Sequence, residues 1–358
     1  MSNGFLLLRL PQNEIQRVLR SMEVHQLVLL SFSSSKSKLL VESLNLKSPS
    51  GGKVWVQNGI DIVVYMPDGI QPNGIQLKWH LYRDEFRQRV PEAPPMKMTI
   101  SKKVIFSTGG NVAHRYLKHH TFKGVPLEMK DWLKHIKEIL HSPVFHHLVF
   151  WNDEGFFDIE SIMNSVGKVH EVTIRSPGTE VQNSEKLKTF LLRKSLSFGS
   201  NVWPEKKPPG RVLIQNFDHV QTGFGMEPGK IDLDDLLLFN SQGNFVGGNK
   251  LTEKDMNRYL KLWMNNRGDF RVECMVVEMK TMIDIDKSVV FKGIKYKKLE
   301  ILREGWHKTS SGGPYSVVIH GGYDIIRRDG LKATIKFDGK WMEMFVWHDH
   351  CFGKPRVL

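Results

Sequence analysis

Leu251-Thr252-Glu253-Lys254-Asp255-Met256-Asn257-Arg258-Tyr259-Leu260-Lys261-Leu262-Trp263 reads as a helix, and the run from Phe270 to Val277 reads as the strand that follows it. Thr252 and Asp255 have the spacing of a capping box with Asp in place of Glu. Met256, Tyr259, Leu260 and Trp263 then fall on one helical face, which is expected to be packed. The same alternation recurs upstream. Met129, Trp132, Leu133, Ile136, Ile139 and Leu140 form a helical stripe, and Val144 to Phe150 is a strand candidate. Phe156, Ile159, Ile162, Met163 and Val166 make the next helix, followed by a strand through Val169, Val172 and Ile174. Leu187, Phe190 and Leu191 mark another helix, and Val212 to Ile214 another strand. Predicted strand starts at 144, 169, 212, about 242 and 270 lie roughly 25 to 45 residues apart. That is a loose version of leucine-rich-repeat spacing, in which stacked strand–helix units share one core. Residues 129–280 are therefore expected to be a repeat-like β/α layer.

The flanks have a different period. Val54 and Val56 alternate, Asn58-Gly59 follows, and Ile60, Ile62 and Val64 alternate again, which is a hairpin signal. Ile75 to Leu81 alternates, and Met98 to Phe106 continues in strand style, so 53–107 reads as an antiparallel meander. The tail, 288–348, returns to strands at Val317–Ile319, Tyr323–Ile326, Lys332–Phe337 and Met342–Trp347, with Arg328-Asp329-Gly330 as a turn. Before residue 49 the chain reads as short helices. Ile15, Val18, Leu19 and Met22 form one stripe behind Pro11. Val24 to Leu30 carries the second helix, and Leu39, Leu40, Val41 and Leu44 mark the third. Lys47-Ser48-Pro49-Ser50-Gly51-Gly52 has the composition of a linker. The expected fold class is mixed α/β: a small three-helix module at 1–48, a strand meander, an irregular repeat-like β/α region and antiparallel strands at the end.

The chain has 358 residues, 51 Lys plus Arg against 38 Asp plus Glu, and a net charge of +13. The excess is spread over Ile75–Phe145, Lys186–Arg211 and Lys287–Lys308, and no Arg-rich arm or Lys tract occurs. A generally basic solvated face is expected, with no nucleic-acid partner. Two cysteines, Cys274 and Cys351, exclude a disulfide scaffold and fit a reducing compartment. No apolar run reaches about 18 residues, so no membrane span is expected. An intracellular protein of cytoplasm or nucleus follows.

The search for chemistry returns little. His348, His350 and Cys351 cluster, and His119-His120 and His146-His147 are pairs, but adjacent strand residues point to opposite faces and rarely share a metal. No metal or cofactor is expected. Gly223-Phe224-Gly225-Met226-Glu227-Pro228-Gly229 begins like a dinucleotide fingerprint, yet Pro228 stands where glycine is required and no clear strand leads into it, so a polar loop is expected. No Gly-x-Ser-x-Gly elbow appears. Cys274 sits in an apolar strand, where a thiol is inert packing, and Asp232, Asp234 and Asp235 suit a helix start. Nothing specific supports catalysis, and the protein is expected to be no enzyme.

About 40 residues of short helices cannot bury enough surface to stand alone. Their apolar side chains are closed either by a partner or by the domain that follows. Leu8-Arg9-Leu10-Pro11, Ile15-Gln16-Arg17-Val18-Leu19, Met22, His25-Gln26-Leu27-Val28-Leu29-Leu30-Ser31 and Ser34 with Lys36 resemble an F-box. The remainder resembles the type-2 F-box-associated domain in Leu233-Asp234-Asp235-Leu236-Leu237-Leu238-Phe239-Asn240-Ser241, in the Leu251–Trp263 run, and in Gly322–Gly330 with Ala333-Thr334-Ile335. The resemblance implies an F-box at 1–48 and a substrate-binding domain at 49–358. It implies a non-catalytic receptor of an SCF ubiquitin ligase, binding a Skp-type adaptor and through it a cullin, and presenting a protein substrate. Leu10, Pro11, Ile15, Val18, Leu19, Met22, Leu27 and Leu30 would hold the adaptor, some of them closing the module's own core instead. The alternative readings are a basic nucleic-acid-binding module and a protein-interaction scaffold outside any ligase.

Overall fold

A computed structural model describes residues 7–48, 51–67, 74–88, 94–110, 116–141, 145–151, 156–175, 194–199, 202–203, 206–224, 229–247, 250–267, 271–280, 284–300, 302–308 and 314–352. The chain is mixed α/β and divides into two compact units, 1–148 with 155–169, and 149–154 with 170–358.

The first unit begins with α1 (Gln12–Ser21), α2 (Val24–Ser31) and α3 (Ser35–Glu42). Each has a local reason to start. Pro11 occupies the cap position of α1, and Glu23 with Gln26 forms a capping box on α2. The Ser34 hydroxyl accepts a hydrogen bond from the Ser37 amide at the head of α3. An antiparallel meander follows: β1 (Gly52–Gln57), β2 (Gly59–Met66), β3 (Ile75–Leu81), β4 (Lys103–Gly110) and β5 (Tyr116–Lys123). The β1–β2 hairpin turns at Asn58-Gly59 as the sequence predicts, and Gly59 has φ +126°, a conformation L side chains rarely adopt. A short helix, α4 (Arg83–Arg87), sits between β3 and β4. Helix α5 (Met129–Ile139) buries the expected stripe of Met129, Trp132, Leu133, Ile136 and Ile139. Strand β6 (Phe145–Phe150) lies beside β1, and α6 (Ile159–Val166) ends at Gly167.

Two expectations for this unit are corrected. The predicted strand from Met98 reaches the sheet only at Lys103, because Ile100 instead bridges to Glu128. In the stretch with linker composition, the Ser48 hydroxyl bonds the carbonyls of Gly51 and Tyr65, and Pro49 and Ser50 lie outside the described residues. A Cβ on Gly52 would lie 2.2 Å from the Phe145 ring, so only glycine fits there. Pro, Ser and Gly composition signals a turn but is silent about what packs on it.

The second unit holds a parallel run in the order β11-β10-β9-β8-β7: β7 (Glu171–Ile174), β8 (Ser195–Gly199), β9 (His219–Phe224), β10 (Gly243–Val246) and β11 (Cys274–Glu278). Glu171, Ser195, His219, Gly243 and Cys274 occupy one level across these strands. The predicted strand at Val212–Ile214 is instead helix α7 (Gly210–Leu213), opened by Pro209. Three apolar residues carry no period by which to tell the two apart. The true strand is β9, and it leads directly into Gly223-Phe224, contrary to the expectation of no strand there; 225–228 lie outside the described residues. The predicted helix at Leu187–Leu191 also lies outside them. Helices α8 (Leu233–Leu238) and α9 (Glu253–Met264) both start from capping boxes, the second being the Thr252–Asp255 pair read from sequence. Met256, Tyr259, Leu260 and Trp263 are all buried as expected. After α10 (Lys287–Val290) come β12 (Lys297–Lys298), the β13 (Arg303–Lys308)–β14 (Pro314–Ile319) hairpin, and the antiparallel strands β15 (Tyr323–Ile326), β16 (Lys332–Asp338) and β17 (Trp341–Trp347). β17 pairs antiparallel with β11, and Gly330 turns the chain between β15 and β16 with φ +92°.

Candidate functional site

The three opening helices lie against their own unit. Phe32, at the end of α2, packs on Trp132 of α5 (ring centroids 4.9 Å apart) and on Phe122 of β5 (5.0 Å), and stacks on His135 at 3.9 Å. His135 Nε2–H donates to the Ser31 hydroxyl at 2.8 Å, and that hydroxyl donates on to the Val28 carbonyl. Burial pushes the His135 ring down to about 4, with the Lys38 charge acting in the same direction. Around this apolar contact, Lys38 pairs with Glu138, His141 donates to the Glu42 carbonyl, and Lys118 pairs with Glu23.

The eight residues expected to hold an adaptor divide by this packing. Ile15, Leu19 and Leu27 are buried and close the small core of the module. Leu10, Val18, Met22 and Leu30 are half-buried, and Pro11 is exposed. The largest exposed apolar side chains on these helices lie elsewhere: Leu39 is 63% exposed and Leu8, just before α1, 37%. A cavity of about 500 Å³ lies beside the α1–α2 turn, lined by Met22, Val24, His25, Ile75 and Lys118 among others.

A second cluster was not anticipated. His80 of β3 lies directly opposite Asp61 of β2, and Ser107 of β4 is two residues along from the partner of His80. His80 Nδ1–H donates to Asp61 Oδ1 at 2.6 Å, and the Ser107 hydroxyl donates to His80 Nε2 at 3.1 Å. Lys78 (2.8 Å) and Gln57 bond the other carboxylate oxygen. Burial alone would raise the Asp61 carboxyl, but the hydrogen bond and charge of His80, with the charge of Lys78, hold it below its ordinary value. Burial lowers the His80 ring and outweighs Asp61 beside it. The order carboxylate, imidazole, hydroxyl is that of a nucleophile triad. Ser107, however, has no exposed surface, so no substrate carbonyl reaches its Oγ. The sequence carries one flag for this cluster, a carboxylate inside the apolar run Ile60–Val64.

In the second unit the other quoted motifs form structure. The Asp232–Asp235 capping box opens α8, and Lys207 bonds both carboxylates, which push its ammonium up to about 12. Asn240, Asn216 and Arg271 tie the ends of neighbouring loops together through 2.7 and 2.8 Å hydrogen bonds. Trp263 carries the Arg327 guanidinium over its ring at 5.3 Å. Arg303 makes a two-pronged contact with Asp324, both bonds 2.8 Å, and its Nη1 also donates to Thr334. Arg303, Arg327, Lys332, Trp347, His348 and other residues line a polar cavity of about 630 Å³. Cys351 is buried, donates to the Val346 carbonyl, and is pushed up to about 11 by desolvation, the chemistry of an inert thiol. No cluster of three or more metal-ligating side chains occurs among the described residues, nor any helix long and apolar enough to cross a membrane.

Sequence comparison finds a family profile and a relative similar to this chain. The profile of the F-box associated family matches residues 209–277, the stretch from α7 through β11. The chain is similar to the F-box associated domain-containing protein sdz-33 of Caenorhabditis elegans, with 23% identity over 225 residues, which is 62% of this chain and 65% of that protein. No solved structure matches.

Proposed function

We propose that this chain selects a protein substrate for a ubiquitin ligase of the Skp–cullin–F-box type. The observation that carries this reading is the F-box associated match at 209–277. Three short helices, α1 to α3, precede it and leave Leu8 and Leu39 exposed. In this reading the helices dock on the Skp-type adaptor, whose ordinary interface would be about 800 Å² per partner. The rest of the chain holds a substrate and raises its effective concentration near the ubiquitin carried by other subunits. No catalytic group is required of such a subunit. A nucleophile role for Ser107 or Cys351 is disfavoured by the burial of both side chains. Because Leu19 is fully buried, charge there would unfold the module, so the informative substitution is Leu39→Asp on the exposed face of α3. Affinity purification of the wild-type chain should recover an adaptor and a cullin, and Leu39→Asp should reduce adaptor recovery about tenfold with an unchanged circular dichroism spectrum. A wild-type purification without adaptor or cullin overturns the proposal.

A further inference from the structure

β5 ends the meander: among the described residues its sole strand partner is β4. Its helix-side face is fixed, with Phe122 packed on Phe32 and Trp132 and Lys118 bonded to Glu23. Along the strand, Lys118, His119, His120, Thr121 and Lys123 are exposed. An eight-residue edge held flat on one face presents backbone N–H and C=O groups to whatever strand arrives.

The side chains decide which strand that is. Lys123 lies opposite Lys103 of β4, and Lys102 precedes it. Lys103 approaches Asp84, at 3.7 Å. The Lys102 amide donates to the Glu85 carboxylate at 2.7 Å, and Lys123 is exposed with no ion-pair partner among the described residues. β5 itself carries Lys118, His119, His120 and Lys123 and no acidic residue, so a second copy of it would offer no counter-charge. An acidic strand would meet it favourably. We propose that the open edge of β5 takes an extended acidic segment of another protein as an added strand. The proposal deepens the receptor reading above by naming a class of substrate segment, and it rests on that reading for its biological meaning alone.

The test uses the full-length chain and a fluorescein-labelled ten-residue peptide of alternating glutamate and valine, read by polarisation. Saturable binding that weakens as salt rises is expected. Strand addition uses the amides of every second peptide residue, so N-methylation in one alternating register should cost at least about tenfold while the other register is tolerated. Lys123→Glu should weaken binding about tenfold and Lys123→Arg should retain it, both with unchanged thermal unfolding. Absence of binding, equal binding of the two N-methylated registers, indifference to Lys123→Glu, or a chain that self-associates through β5 would each overturn the proposal. Adaptor recovery with the wild-type chain separates the two ideas: a chain that captures the adaptor but binds no peptide sinks the edge-strand site alone, and one that binds the peptide but captures no adaptor sinks the ligase reading alone.

Discussion

The first unit and the second each bury one polar cluster between antiparallel strands, and the two are built differently. In the first, Asp61 is neutralised by Lys78 and hydrogen-bonded by His80, with Ser107 completing the chain of bonds. In the second, Asp324 is neutralised by Arg303, and Thr334, directly opposite Asp324, donates to it while accepting from Arg303 and the Trp347 indole. The first spans three strands, its carboxylate on β2 and its hydroxyl on β4 either side of His80, while the second sets both on the paired strands β15 and β16. They differ in the partners of the carboxylate: an imidazole that titrates and an ammonium in one, a guanidinium that stays charged and binds both carboxylate oxygens in the other. The triad-like look of the first cluster is thus a product of strand register. The second shows strand pairing alone bringing a carboxylate and a hydroxyl together with no imidazole and no hint of a nucleophile.

The comparison can be broken most severely at Asp61. Asp61→Ala removes the buried carboxylate that Lys78 pairs with and His80 donates to, and should cost about 3–5 kcal/mol in denaturant unfolding of the first unit. Asp324→Ala removes the partner of a cation that keeps some solvent contact, and about 2–3 kcal/mol is expected. A smaller loss at Asp61 than at Asp324 would mean that the first cluster is the more accessible one. Acid sharpens the contrast. The folded values of His80 and His135 lie below their ordinary value, so the unfolded chain binds protons that the folded first unit does not. Stability of the first unit is therefore complete above about pH 6.5 and falls as pH drops toward the folded values, which for His135 is about 4. His135 alone should account for roughly 2 kcal/mol after screening of its half-buried ring. Arg303 has no such window, and the depressed Asp324 carboxyl loses its contribution only below the ordinary carboxylate range. Hydrogen-exchange protection measured from pH 7 to 4 should fall first in the first unit, and His135→Phe should flatten that fall. The smallest effect is expected at Ser107→Ala, about 1 kcal/mol in denaturant unfolding.

What could be read in the sequence was local. The helix at 253–264 announces itself through Thr252, Asp255 and four apolar residues at helical spacing. The β1–β2 hairpin does so through Asn58-Gly59, because only a few residues accept the backbone of that turn. The stripe Ile15, Val18, Leu19 and Met22 gives α1, yet its period does not say which members face a partner. Ile15 and Leu19 face inward while Leu39 of α3 points to solvent. The contact of Phe32 with Trp132 joins residues 100 apart, and the Asp61–His80–Ser107 alignment depends on the register of three strands. Neither leaves a periodic trace. β5 escaped because Lys118-His119-His120-Thr121 is polar on both faces, as an exposed edge is and a half-buried strand is not.

The residues described on either side of the passage from the opening helices into β1 help to fix how the module is aimed. Ser48 is pinned to Gly51 and Tyr65, Gly52 is wedged beneath Phe145, and Phe32 sits on Trp132 and Phe122, so the helices are clamped at more than one point. Anything gripped by the helices keeps a constant bearing toward the meander, and lengthening the joint alone would leave that bearing in place.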